Sequence, residues 1–146
     1  MNSEVERFLA EIVDPTIRDF ESNPASVRHA FLACLTTFHA LDRFEGKRNL
    51  RKSFRDELPE FAVVDRVAHA FKHVGTGNHK DENNQPLSDQ DLIERSPARC
   101  GQARCGLSRL GDLNGGVTIR SEIEKDLLRS VKRAAAFLAE KAAADR

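Results

Sequence analysis

No stretch of this 146-residue chain approaches the roughly 18 consecutive apolar residues that a membrane-spanning helix needs. Nor does one sign of charge dominate: Lys plus Arg and Asp plus Glu both total 23. Bulk attraction to nucleic acid or to an anionic membrane is therefore not expected. Cysteine is scarce and odd in number, at Cys34, Cys100 and Cys105. That is unlike the disulfide framework of a small secreted domain. The opening residues, Met1-Asn2-Ser3-Glu4-Val5-Glu6-Arg7, are acidic and amphipathic, where a secretory signal is basic and then apolar. A reducing cytoplasm is the expected setting. Also missing are a phosphate-binding P-loop, a dinucleotide Gly fingerprint and a nucleophile elbow.

What is present fits amphipathic helices with solvated outer faces: 40% of residues are hydrophobic and 32% charged. The length suits a single domain spanning 1–146 with a real core. Of the 23 basic residues 16 are Arg, whose forked donors suit a local carboxylate or phosphate site. Ser3 and Glu6 make a capping box for a helix over 3–13, with Val5, Phe8, Leu9 and Ile12 as its stripe. Asp14-Pro15 restarts the helix, and Asn23-Pro24 opens a long one to about Phe44, ended by Gly46. Val27, Phe31, Cys34, Leu35, Phe38 and Leu41 share its inner face. Asn49 to Leu58 reads as a helix that is basic outside, anchored by Leu50 and Phe54. Pro59 opens another that runs to Val74, stopped by Gly75-Thr76-Gly77-Asn78 before a polar loop to Pro86. Ser88 and Asp91 signal a short helix ending before Pro97. The last helix is expected from Ser121, with Ile123, Leu127, Val131, Ala134, Leu138 and Ala142 buried.

Residues 97–118 break this pattern. Arg99-Cys100-Gly101, Arg104-Cys105-Gly106 and Arg109-Leu110-Gly111 recur every five residues, then Gly115-Gly116-Val117-Thr118-Ile119 follows. A period of five fits neither helix nor plain strand, and Gly at that density permits tight turns. An irregular Gly-rich excursion is expected, with at most a short strand at Val117 to Ile119. Cys100 and Cys105 have the spacing of half a zinc knuckle, but only two thiols are available and no base is fixed beside either. Two free thiols are expected.

The helix through residues 63–74 carries the candidate chemistry. At 100° per residue Val63, Val64, Val67, Ala70, Phe71 and Val74 occupy one arc, which must face the core. Asp65, Arg66, His69, Lys72 and His73 fall on the other, expected to be solvated. Asp65, His69 and His73 make one ridge, and two His at i, i+4 can share a metal. The preceding long helix offers His39 and Asp42. Packed antiparallel, the two helices would gather His39, Asp42, His69 and His73 into a metal site.

Arg66 and His73, with six residues between them on one helix of an all-helical bundle of this length, resemble the HEPN superfamily. Six is the upper limit of that family's Arg-to-His spacing. The resemblance implies a metal-independent endoribonuclease, with the Arg and His of two protomers lining a cleft at a dimer interface. Arg66 would hold or polarise the phosphate, and His73 would transfer protons. Seven positions return a residue to within about 20° of the same face, about 10 Å along the axis, a distance a long Arg spans in large part.

The expected architecture is all-α: a bundle of four to six helices with a Gly-rich irregular loop before the C-terminal helix. The leading expectation for function is a non-catalytic helical interaction module, in particular a homodimer, since a neutral chain resists self-association little. A HEPN-like ribonuclease using Arg66 and His73 is the alternative, and a metal-binding bundle the third. The partners that fit are a second copy, a protein or RNA. No cofactor, no bound metal in the leading view and no membrane contact are expected.

Overall fold

Val5, Leu9, Val13, Ile17 and Phe20 recur every three or four positions, and all five are buried on one continuous rod from Ser3 to Ser22. The computed structural model describes residues 3–44, 49–73 and 87–144. The rod consists of α1 (Ser3–Phe8), a π-turn (Leu9–Val13) and α2 (Asp14–Ser22). Asp14-Pro15 opens α2 with Pro15 in its first turn, as expected, but the rod does not break there and the Asp14 side chain caps nothing. Instead the Asp14 N–H bonds the Leu9 carbonyl five residues back. That widening makes room for a Pro15 ring that would otherwise strike the preceding turn.

Helix α3 (Val27–His39) starts at an N-cap by Ser26, whose Oγ accepts from the His29 N–H at 3.3 Å, a little after the Asn23-Pro24 signal. It tightens into a 3-10 turn (Ala40–Arg43) and ends at extended Phe44. The expected stop at Gly46 lies outside the described residues. Helix α4 (Leu50–Glu57) and α5 (Pro59–His73) are joined by Leu58 alone. Helix α6 (Leu127–Ala144) is the last described element. The central helix is α5, packed against α3, α4 and α6. Val63, Val64, Val67 and Ala70 are buried as the periodicity requires, and half-buried Phe71 stacks on Phe31 at 4.5 Å. Val74 and the loop to Pro86 lie outside the described residues. Phe54 meets Phe44, Phe61 and Phe137 edge-on at 5.6, 5.9 and 5.1 Å, joining α4 to α5 and α6. Each fully buried Phe or Leu contributes about 1.5–3 kcal/mol. No helix among the described residues is long and apolar enough to cross a membrane.

The fold is mostly helical but not all-α. A three-stranded antiparallel sheet, ordered β1 (Leu92–Arg95), β2 (Gly116–Ile119), β3 (Glu122–Asp126), packs on α6. Two expected helical segments give way to it. The Ser88/Asp91 signal is present, since the Asp91 carboxylate accepts from the Ser88 N–H at 2.8 Å and its hydroxyl at 3.0 Å. It yields only a 3-10 turn (Asp89–Asp91), because Leu92-Ile93 pair with Ile119 and Thr118. A helix this short cannot offset its own nucleation cost, whereas a strand partner is at hand. Likewise the last helix begins at Leu127, not Ser121, and Ile123 is exposed on β3. Asp126 takes over the cap, its Oδ1 accepting from the Arg129 N–H at 3.0 Å. Leu127, Val131, Ala134, Leu138 and Ala142 are buried as expected. Between β2 and β3 the register breaks at Thr118/Ile119. The Thr118 hydroxyl lies 3.0 Å from the Glu122 carbonyl and 2.6 Å from that of Lys125, satisfying what the bulge leaves unpaired.

The period of five resolves into three successive tight turns. The Arg99 carbonyl accepts from the N–H groups of Gln102 and Ala103, and that of Arg104 from Leu107 and Ser108. The Arg109 carbonyl accepts from Asp112. The third residue of each turn is Gly101, Gly106 or Gly111, with φ of 78°, 79° and 83°. A type II turn requires glycine there for that reason. The excursion closes at Gly115 (φ 69°), where any Cβ would collide with the Arg95 carbonyl oxygen. A Cβ on Gly106 would meet open space. Gly106→Ala is therefore expected to cost about 1–2 kcal/mol of backbone strain. Gly115→Ala carries the same strain plus the collision, so its denaturation midpoint should fall clearly further. Equal midpoints would contradict the closure described.

Candidate functional site

Asp65 and Arg66 stand where helical periodicity places a solvated face, yet the structure buries both, at 0% and 7% exposure. Two elements cover them. Helix α4, joined to α5 by one residue, lies along it, and Glu122 of β3 reaches Arg66 on the far side. Each covering element carries the opposite charge.

Around Asp65 the charges come from α4. Arg51 grips the carboxylate side-on, with Nη2 at 2.9 Å from Oδ1 and Nε at 3.1 and 3.2 Å from the two oxygens. Arg55 adds Nε at 3.2 Å from Oδ2. From the next turn of α5, His69 Nδ1 lies 3.0 Å from Oδ1 and 2.9 Å from the Asp65 carbonyl. An Nδ1–H donating to both oxygens fits this placement. The His69 ring packs edge-on against Phe38 at 4.8 Å, and the Arg51 guanidinium lies over the same ring at 5.5 Å. One buried carboxylate thus organises two guanidiniums and an imidazole.

Arg66 is held from the other side. Its Nη1 and Nη2 donate to the two carboxylate oxygens of Glu122 on β3, at 2.7 and 2.9 Å, a bidentate fork with both groups buried. Lys125 joins at 3.0 Å from Oε2.

A third node ties the Gly-rich excursion down. Arg95 Nε donates to Asp112 at 2.7 Å, and Nη2 to Asp126 at 2.7 Å. Asp112 also accepts from the N–H of Gly115 at 3.0 Å. Burial works against the Arg95 charge, but the hydrogen bonds and charges of Asp112 and Asp126 outweigh it and hold its pKa above the ordinary Arg value. For Asp112 burial pushes upward, but the hydrogen bond and charge of Arg95 prevail and hold its carboxyl below the usual range. Gly116 is required beneath this pair: a Cβ there would lie 2.7 Å from both Arg95 Nη2 and Asp126 Oδ2.

The remaining expected residues do not assemble with these. His39, half-buried, pairs with exposed Asp42 at 3.0 Å in a hollow shared with Glu4 and Arg43. The Phe38 ring contacts His39 at 5.7 Å as well as His69, while His39 pairs with Asp42 and His69 with Asp65. Lys72 is exposed, and His73 ends α5 with a side chain outside the described residues. Among the described residues no three His, Cys, Asp or Glu side chains form a group that could hold a metal ion. Cys100 and Cys105 are free and exposed, whereas burial pushes the Cys34 thiol up to about 12.

Arg51, Arg55 and Glu122 were not singled out by the sequence. A signal for the first two existed: a basic helix joined to the next by one residue must fold beside it. None existed for Glu122, which lies 56 positions from Arg66 in the chain. No protein-family model matches the chain, and no curated protein or solved structure matches it.

Removing one partner of a buried ion pair leaves the other charge without compensation, at a cost of about 3–5 kcal/mol. Glu122→Gln should lower unfolding free energy by about that amount in chemical denaturation. The double change Arg66→Met with Glu122→Leu should restore most of it. A Glu122→Gln loss below about 1 kcal/mol, the range of an exposed pair, would be incompatible with the geometry.

Proposed function

We propose that this chain is a non-catalytic helical interaction module. One observation carries it: both terminal nitrogens of Arg66 are committed to Glu122 in a buried fork. The side chain best placed by its spacing to meet a phosphate is built into the scaffold. The Asp65 cluster likewise holds α4 against α5, leaving the outer face of α4 as the presented surface.

The competing reading is a HEPN-like, metal-independent endoribonuclease using Arg66 and His73. In its favour, both residues stand on α5. It requires Arg66 to leave Glu122 and expose a buried carboxylate. Purified chain incubated with single-stranded and structured RNA in the presence of chelator is expected to leave the RNA intact. Cleavage that persists in chelator and vanishes in His73→Ala would replace the interaction reading with the catalytic one.

Self-association belongs to the same proposal, though not through the polar face of α5, whose Asp65 and Arg66 lie inside the monomer. Leu110, Leu113 and Ile123 are exposed, at 105%, 60% and 46%. The Arg109 guanidinium bonds the Ile123 carbonyl, so turn and strand share one edge of the molecule. Exposed leucines there favour a second copy, and the chain's zero net charge opposes it little. Light scattering should give the mass of two chains, falling to one in Leu110→Asp. A monomer at all concentrations rules the dimer out.

A further inference from the structure

Helix α4 turns part of its charge inward to Asp65 and keeps part outside. Arg51 spends Nε and Nη2 on Asp65. Arg55 meets Asp65 through its Nε and makes no ion pair with any other described residue. Lys52 is exposed and makes no ion pair among the described residues. These three side chains and Asp56 line a surface cavity of about 410 Å³. Counting Asp65 beneath it, the cavity keeps an excess positive charge.

The buried carboxylate makes this more than a basic patch. Long cationic side chains ordinarily lose rotamer freedom when they bind, and that loss weakens surface contacts. Here Arg51 and Arg55 are already anchored at their Nε ends by an immobile group. Phe38 further fixes Arg51 from one face. A positioned guanidinium and a neighbouring ammonium, at i+3 and i on one helix face, have the spacing to share one anion.

We propose that this cavity binds a single phosphate group, free or as a monoester. Arg55 and Lys52 donate to its oxygens, and Arg51 adds field from its anchored position. A tetrahedral dianion offers terminal oxygens to a fork and an ammonium together, which a planar carboxylate does less well. A polyanion is a poorer fit. Nucleic-acid affinity grows with the number of phosphates neutralised, and a neutral chain with one local excess of charge offers few. The inference rests on the interaction-module reading and gives that module a ligand class.

The test is titration of the full chain with inorganic phosphate and with a nucleoside 5′-monophosphate. Calorimetry or NMR shifts would follow binding at fixed ionic strength balanced with chloride. Saturable binding is expected for at least one. It should be weakened about tenfold in Arg55→Gln, the loss of one charge-assisted contact. Lys52→Gln should weaken it too, and that exposed position keeps the test valid if Arg55→Gln melts. Arg104→Gln, in the distant turns, should bind as the parent does. Tighter monophosphate binding identifies an ester ligand and tighter inorganic phosphate a free ion, and either upholds the site. No saturation by either probe in the millimolar range overturns it, as does binding unaltered in both variants. Binding of an RNA oligomer alone also overturns it. Phosphate binding accompanied by RNA cleavage would remove the non-catalytic reading while leaving the site in place.

Discussion

Asp65 and Arg66 are neighbours on a helix that the fold covers almost all round, and neither charge is stable there without a counterion. They point to different sides of α5, so one element cannot serve both. Helix α4 answers Asp65 with Arg51 and Arg55, and β3 answers Arg66 with Glu122. The link of one residue between α4 and α5 and the strand before α6 both serve this requirement. Apolar burial supplies most of the stability, but it is non-directional. The two ion clusters set which element lies on which side of the central helix.

The same logic explains the small sheet. Glu122 has to reach Arg66, and a helix beginning at Ser121 would carry that position away along its own axis. Extending 122–126 keeps Glu122 buried and leaves Asp126 to cap α6 and to hold Arg95. Arg95 in turn holds Asp112 and closes the three Gly turns. The excursion is thus anchored at its base by one guanidinium, while its tips stay in water.

For function, the division of labour on α4 matters most. A carboxylate buried for structural reasons positions cationic side chains whose outer ends face solvent. Stability and recognition then share residues, since the group that satisfies Asp65 is also the group offered to an anion. Arg66 differs, because both of its terminal nitrogens donate to Glu122 in a buried fork. That contrast between a part-exposed Arg55 tied through Nε and a buried Arg66 forked to Glu122 separates a binding surface from a scaffold element.

Periodicity alone placed the helices and most of their buried faces, because burial of an apolar stripe at 3.6-residue spacing depends on near neighbours in the chain. Val63, Val67, Phe54 and the Leu127-to-Ala142 face follow from that rule. Periodicity also singled out Asp65, Arg66 and His69 as belonging together. It assigned them to water, because a charged residue is read as exposed until its counterion is known. Only the tertiary structure supplied the counterions, one from an adjacent helix and one from a strand 56 positions away. The sheet was decided in the same way. Leu92-Ile93 and Glu122-to-Asp126 have acceptable local helix signals, and pairing with Val117 to Ile119 overrode them. Local sequence fixes what a segment can form by itself, and long-range pairing chooses among those forms wherever a buried charge or an unpaired strand has to be satisfied.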